Sequence, residues 1–221
     1  MSQPNLSEAV EFLDQQPRCA CVLLLDTSGS MYGSPIQELN AGLQTFRDEL
    51  AKDDLAKKRV EVAVIEFNSG VNTVQDFVTA ENFQPPTLSA TGGTDMGAGI
   101  VKALDLIQER KQRYKDNGVT YYRPWVFLIT DGYPGDWNQT IETQLKQAVD
   151  NKNIAFFAVG VEGADVSFLQ QISGGVSKKL NGLSFKELFQ WLSTSMQRVS
   201  QSKPGDQTAL PPTDPWAAIG S

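Results

Sequence analysis

Apolar residues along the chain alternate between two spacings. Residues 19–25, CACVLLL, form a short unbroken apolar run that stops at Asp26, the pattern of a strand buried on both faces. Ser34-Pro35-Ile36-Gln37 then carries a helix start: a serine cap, proline at the first helical position and glutamine three residues after the cap. Ile36, Leu39, Leu43, Phe46 and Leu50 follow at helical spacing. Residues 59–67 (RVEVAVIEF) alternate as a second strand, and 71–79 (VNTVQDFVT) pair with it antiparallel through the turn at 68–70.

After the loop QPPTLSATGG the spacing predicts a long helix over 95–115, with Ile100, Leu104 and Ile107 inward. A buried strand at 125–130 (WVFLIT), a helix at 139–149 and a strand at 154–161 (IAFFAVGV) come next. A short helix over 166–172, a weak edge strand over 179–183 and a last helix over 185–200 complete the pattern. Alternating strands and helices with nearly uniform apolar strands predict an α/β fold. Its sheet is doubly wound, mostly parallel and six-stranded, with one antiparallel edge strand and helices on both faces. The expected organisation is an N-terminal extension (1–17), one domain (18–200) and a proline-rich tail (201–221). That tail is either disordered or wrapped on the surface, with Trp216 and Ile219 as its anchors.

Composition narrows the function classes. The 221 residues carry a formal charge of −7, which argues against nucleic-acid and membrane-surface binding. No apolar run reaches the length of a membrane span, and the start MSQPNLSEAVEFLDQQPR lacks a basic, apolar leader, so a cytoplasmic location is expected. Cys19 and Cys21 fall on one face of a strand, poorly placed to bridge each other, and read as ordinary strand residues in a reducing compartment. The chain has no histidine, which removes Ser-His-Asp and Cys-His catalysis and imidazole-based zinc sites. A metal would have to be held by oxygen, which favours magnesium, calcium or manganese.

Such oxygens gather at predicted strand ends. In an open parallel sheet, ligands bind beyond the carboxyl ends of the strands, where the strand order reverses. DTSGS follows the first strand, SATGGTDMG opens a helix at Thr94, and Asp131 in ITDG follows the strand over 125–130. In the order 3-2-1-4-5-6 these three segments converge and offer two carboxylates (Asp26, Asp131) and three hydroxyls (Ser28, Ser30, Thr94). Magnesium takes six oxygens, and hydroxyl ligands leave its charge partly uncompensated, so an outside carboxylate suits an open position. DTSGS with Thr94 in GGTDMG and Asp131 in ITDG resembles the von Willebrand factor type A domain and its metal-ion-dependent adhesion site. The resemblance implies a Rossmann-like fold, with Ser28 and Ser30 binding the metal directly and Thr94 binding directly or through water. Asp26 and Asp131 would bind mainly through water.

PRCACVLLLDTSGSM, YYRPWVFLITDG, FFAVGVEGAD, LSFKELFQWLS and the LPP…W tail look like bacterial TerY-type proteins of tellurite-resistance and stress systems. That resemblance implies a protein kinase and a PP2C-type phosphatase as partners. The expected function is therefore non-enzymatic: a magnesium-dependent (or manganese- or calcium-dependent) protein-binding module completed by a partner's Asp or Glu.

Other readings of the same residues stay open. Asp26 suits a phosphohydrolase nucleophile, but Ser28 stands where the usual second aspartate would be, and a metal-free scaffold is the third alternative. Thr94 also suits a helix cap, Asp136 reads as a solvated loop acid, and Tyr32, Tyr133 and Trp137 are candidates for a partner surface.

Overall fold

The computed structural model describes residues 12, 14–174, 176–213 and 216–217. Every residue of the first strand, β1 (Cys19–Asp26), is buried, and its side chains alternate between two cores. Cys19, Cys21, Leu23 and Leu25 enter one core; Ala20, Val22 and Leu24 enter the other. An uninterrupted apolar run is the consequence of covering a parallel strand on both faces.

Around β1 lie β2 (Val60–Phe67), β3 (Val71–Thr79), β4 (Trp125–Thr130), β5 (Ala155–Gly160) and β6 (Ser177–Lys179), in the order β3-β2-β1-β4-β5-β6. Among these six strands only the β2–β3 pair is antiparallel. Helices α1 (Ser34–Ala51) and α6 (Phe185–Gln201) cover the first core through Phe46, Phe185 and Phe189. Helices α3 (Met96–Asp116), α4 (Gln139–Asp150) and α5 (Val166–Ile172) cover the second through Ile100, Ile141 and Phe168. This is the expected doubly wound, mostly parallel sheet with one antiparallel edge strand.

Boundaries differ where local contacts overrule the pattern. The second edge strand forms as β6, ahead of the expected 179–183, because Asn181 and Gly182 (φ 58) turn the chain into α6. The short helix α2 (Ala56–Arg59) has too few residues for a period; Asp53 caps it by accepting from the Leu55 and Ala56 N–H groups. Helix α1 has Gly33 (φ 90) in its cap position, so Ser34 lies inside the helix next to Pro35.

The chain beyond α6 returns over that helix. Trp191 donates its indole N–H to the Pro211 carbonyl (2.8 Å), and Asn181 donates its backbone N–H to the Trp216 carbonyl (2.8 Å). Trp216 is buried against Trp191, with ring centroids 5.3 Å apart. Ile219, the other expected anchor, lies outside the described residues.

Candidate metal centre

Neighbouring parallel strands β1 and β4 bring their carboxyl ends to one edge, with Leu25 opposite Ile129. The next rung joins Asp26 to Thr130: the Thr130 hydroxyl donates to Asp26 Oδ2 at 2.5 Å. Asp26 Oδ1 accepts the Ser28 backbone N–H at 2.8 Å, so the turn folds back on its own carboxylate. The Ser28 and Ser30 hydroxyls lie 3.0 Å apart, and Ser30 Oγ donates to Asp131 Oδ1 at 2.7 Å. Thr94 stands across from them: a Cβ placed on Gly132 would sit 3.5 Å from Thr94 Oγ1 and 3.8 Å from Asp26 Oδ2. All five predicted residues therefore border one small volume. It grades from fully buried Asp26 and nearly buried Ser28 to half-buried Thr94 and exposed Ser30.

Backbone contacts hold the three segments together. Gly29 N–H donates to the Gly92 carbonyl (3.0 Å), and a Cβ at Gly29 would press to 3.3 Å from that oxygen. Thr91 N–H donates to the Thr27 carbonyl (2.8 Å), and Asp95 N–H to the Asn68 carbonyl (2.7 Å). Asn68 also donates through its side chain to Thr27 Oγ1 (3.1 Å), which ties the β2–β3 turn to the site.

Burial pushes the Asp26 carboxyl above its ordinary range, and the nearby Asp131 adds to the rise; hydrogen bonds from Ser28 and Thr130 oppose it. Burial likewise raises Asp131, against the bond from Ser30. Neither carboxylate has a lysine or arginine partner among the described ion pairs. Two adjacent, largely buried carboxylates without a basic counter-charge, bordered by hydroxyl oxygens, fit a hard divalent cation. No group of three or more Asp, Glu, Cys or His among the described residues has metal-holding geometry, so the donor set depends on the hydroxyls.

Several neighbours differ from their sequence reading. Thr94 does not cap α3; the helix begins at Met96, and Asp95 in the cap position makes no side-chain cap bond. Asp136 fills that role from another loop, its two oxygens accepting from Gly97 N–H (2.9 Å) and Ala98 N–H (2.7 Å). It is a helix cap at the rim, not a solvated loop acid. Trp137 packs edge-on against Phe168 at 5.0 Å and belongs to the second core's margin. Tyr32 and Tyr133 are exposed, at 79% and 59%. Thr130 was missed from sequence because a threonine ending an apolar run is indistinguishable from a β-branched strand residue. Its position immediately before Asp131 was the available signal.

Comparison with known proteins identifies the domain that carries these residues. The sequence profile described as the von Willebrand factor type A domain matches residues 21–190. Inter-alpha-trypsin inhibitor heavy chain H2 of Mus musculus is 25% identical over 213 residues, covering 87% of this chain and 22% of that protein. Heavy chain H4 of Homo sapiens is 26% identical over 178 residues, covering 72% and 18%. The chain thus spans about a fifth of the length of these relatives. Among solved structures, the open conformation of the pilus adhesin SpaC from Lactobacillus rhamnosus GG superposes with a TM-score of 0.66 at 16% identity, covering 83% of this chain and 30% of that one. Proximal thread matrix protein 1 from the mussel byssus, with a zinc-occupied MIDAS motif, gives 0.55 at 15% identity, covering 82% and 48%. These likenesses show the fold, and the profile spans most of the chain: it belongs to the von Willebrand factor type A domain family.

Proposed function

We propose that Asp26, Ser28, Ser30, Thr94 and Asp131 hold a divalent cation, magnesium first and manganese or calcium as substitutes. A partner protein's Asp or Glu side chain then completes the coordination. The observation that carries this reading is the Ser30–Asp131 bond of 2.7 Å, which joins two of the three motif segments beside two carboxylates with no basic partner among the described ion pairs. The ion would supply the missing positive charge, and an incoming carboxylate would offset what the neutral hydroxyls leave uncompensated. Tyr32 and Tyr133 support a docking surface here. Each stands two residues beyond a motif residue, and they are two of the four exposed large hydrophobic side chains among the described residues. Tyrosine at the centre of an interface supplies large contact area together with a polar tip.

An enzyme using Asp26 as nucleophile is disfavoured by geometry. The side chain is fully buried, and its oxygens are already engaged by the Ser28 N–H and the Thr130 hydroxyl. The finer assignment, a cytoplasmic TerY-type stress module working with a protein kinase and a PP2C-type phosphatase, rests on the sequence segments that resemble that group. The matched relatives support the domain and not that pathway. Cys19 and Cys21, both free and buried, are in keeping with a reducing compartment.

Thermal unfolding with and without magnesium tests the metal site. Saturation at about one hundred times Kd should stabilise the protein by about 2.7 kcal/mol. In a domain of this size that raises Tm by roughly 5–10 °C. Asp131→Ala should abolish the increment. An unchanged Tm in magnesium, manganese and calcium would overturn the metal site. Identical sets of proteins recovered by wild type and Asp131→Ala in magnesium would overturn the metal-bridged partner.

A further inference from the structure

The loops at the carboxyl edge of the sheet carry charge of one sign. Segments 26–33, 68–70, 91–95, 131–138 and 161–165 contain Asp26, Asp95, Asp131, Asp136, Glu162 and Asp165, and no lysine or arginine. The nearest base along the chain is Lys102, in the second turn of α3. These segments meet around the metal centre. Asp95 N–H donates to the Asn68 carbonyl, and the Asn68 side chain donates to Thr27. On the other side, Val161 N–H donates to the Thr130 carbonyl at 2.8 Å, and a Cβ on Gly163 (φ 101) would sit 3.4 Å from the Asp131 carbonyl oxygen.

The six carboxylates are not equivalent. Asp26 and Asp131 belong to the metal centre, where a divalent cation would offset both. Asp136 caps α3, and Asp165 caps α5 by accepting from Phe168 N–H at 3.0 Å. Asp95 and Glu162 are left. Neither side chain enters a hydrogen bond or ion pair among the described residues, and Glu162 is exposed. Strand order puts them on opposite flanks: Asp95 is tied to the end of β2 through Asn68, Glu162 follows β5, and β1 and β4 lie between. The three strand spacings from β2 to β5 span roughly 14 Å. Half of that is within the Debye length of about 8 Å at physiological salt, so both charges act on whatever occupies the middle.

Resting on the metal-bridged reading above, we propose that the partner segment presents its Asp or Glu between basic residues, one Lys or Arg facing Glu162 and one facing Asp95. The metal takes the acid, and the two uncompensated carboxylates choose which acid it takes. An acid standing among further acids gains the same coordination but meets like charge on both flanks, which is costly at an interface. Tyr32 and Tyr133, exposed at 79% and 59%, offer ring faces beside the site for the arriving basic side chains and their methylene stems. An extended segment covers half the 14 Å span in about two residues, which sets the spacing of acid and base.

Random peptides displayed on phage, selected on the full chain in magnesium and released with EDTA, test this. Released peptides should carry an Asp or Glu with Lys or Arg about two residues away on each side. Glu162→Lys lies outside the donor set and should keep the magnesium-dependent rise in Tm. By fluorescence polarisation it should bind the best such peptide about tenfold more weakly than wild type does. Exchanging that peptide's basic residues for Glu should reverse the order, giving weak binding to wild type and tighter binding to Glu162→Lys. EDTA-released peptides whose acid has neutral or acidic flanks, or an affinity that Glu162→Lys leaves unchanged, would overturn the basic flanks while sparing the metal bridge. A selection from which EDTA releases nothing would overturn the metal-bridged reading itself, and this inference with it.

Discussion

Thr130 places one hydroxyl between a buried carboxylate and a backbone amide. It donates to Asp26 Oδ2 at 2.5 Å and accepts from Gly132 N–H at 3.1 Å. Such outer groups fix the orientation of metal-site oxygens, and losing one typically lowers metal affinity 10- to 100-fold, roughly. Thr130→Val is nearly isosteric, so it should leave the fold intact. It removes a bond that favours the charged carboxylate and thus pushes Asp26 further upward. Magnesium titrations followed by Tm should show affinity falling within that range; an unchanged affinity would show that Thr130 has no part in the site. The five motif residues were legible because alternation along a turn and the strand order place them without tertiary detail. Thr130 was not, because its role exists only in register with Asp26 on another strand. Cys19 and Cys21 lie buried in β1, where burial pushes the Cys19 thiol up to about 12 and Cys21 further still.

At the scale of elements, the start of α3 is set by a residue distant in sequence. Asp136 binds Gly97 and Ala98 N–H across separations of 39 and 38 residues. Gly97 leaves the room: a Cβ there would meet the Asp136 oxygens at 3.0 Å and Ile141 Cδ1 at 2.6 Å. Two orphan amides at a helix N-terminus are thereby satisfied, and the carboxylate lies at the positive end of the helix dipole. Asp136→Ala should cost about 1 kcal/mol, as loss of a cap does. Thermal unfolding should show a fall of roughly 2–4 °C, partly restored by Asp136→Asn. A wild-type Tm would remove Asp136 from the helix start. Helical spacing locates α3 to within a residue, yet the only cap candidate it offers is the adjacent Thr94, because a local pattern points to caps next to the helix.

Across the whole molecule, a buried charge cluster ties the chain before β1 to the sheet and to α3. Glu61 on β2 is fully buried and meets Arg110 (2.8 Å), Arg18 (3.1 Å) and the Tyr114 hydroxyl. Phe12 lies under the Arg110 guanidinium at 5.0 Å, and Asp14 pairs with Arg18 at 2.7 Å. Glu61→Ala strips both arginines of their shared carboxylate, and breaking a buried pair costs about 3–5 kcal/mol. Urea unfolding should lose stability by that amount; a loss below about 1 kcal/mol would show the cluster to be solvated. From sequence, Glu61 is only one of the polar members of an alternating strand. The sequence by itself determined the alternating strands and helices, the two-sided burial of β1 and the motif oxygens, since periodicity and turn chemistry are local. Only the tertiary structure decided that Thr130 holds Asp26, that Asp136 caps α3, that Glu61 is buried between two arginines and that Asn181 donates to the Trp216 carbonyl. Each of these depends on which distant segments the strand order brings within a hydrogen bond's length, and no local pattern encodes that distance.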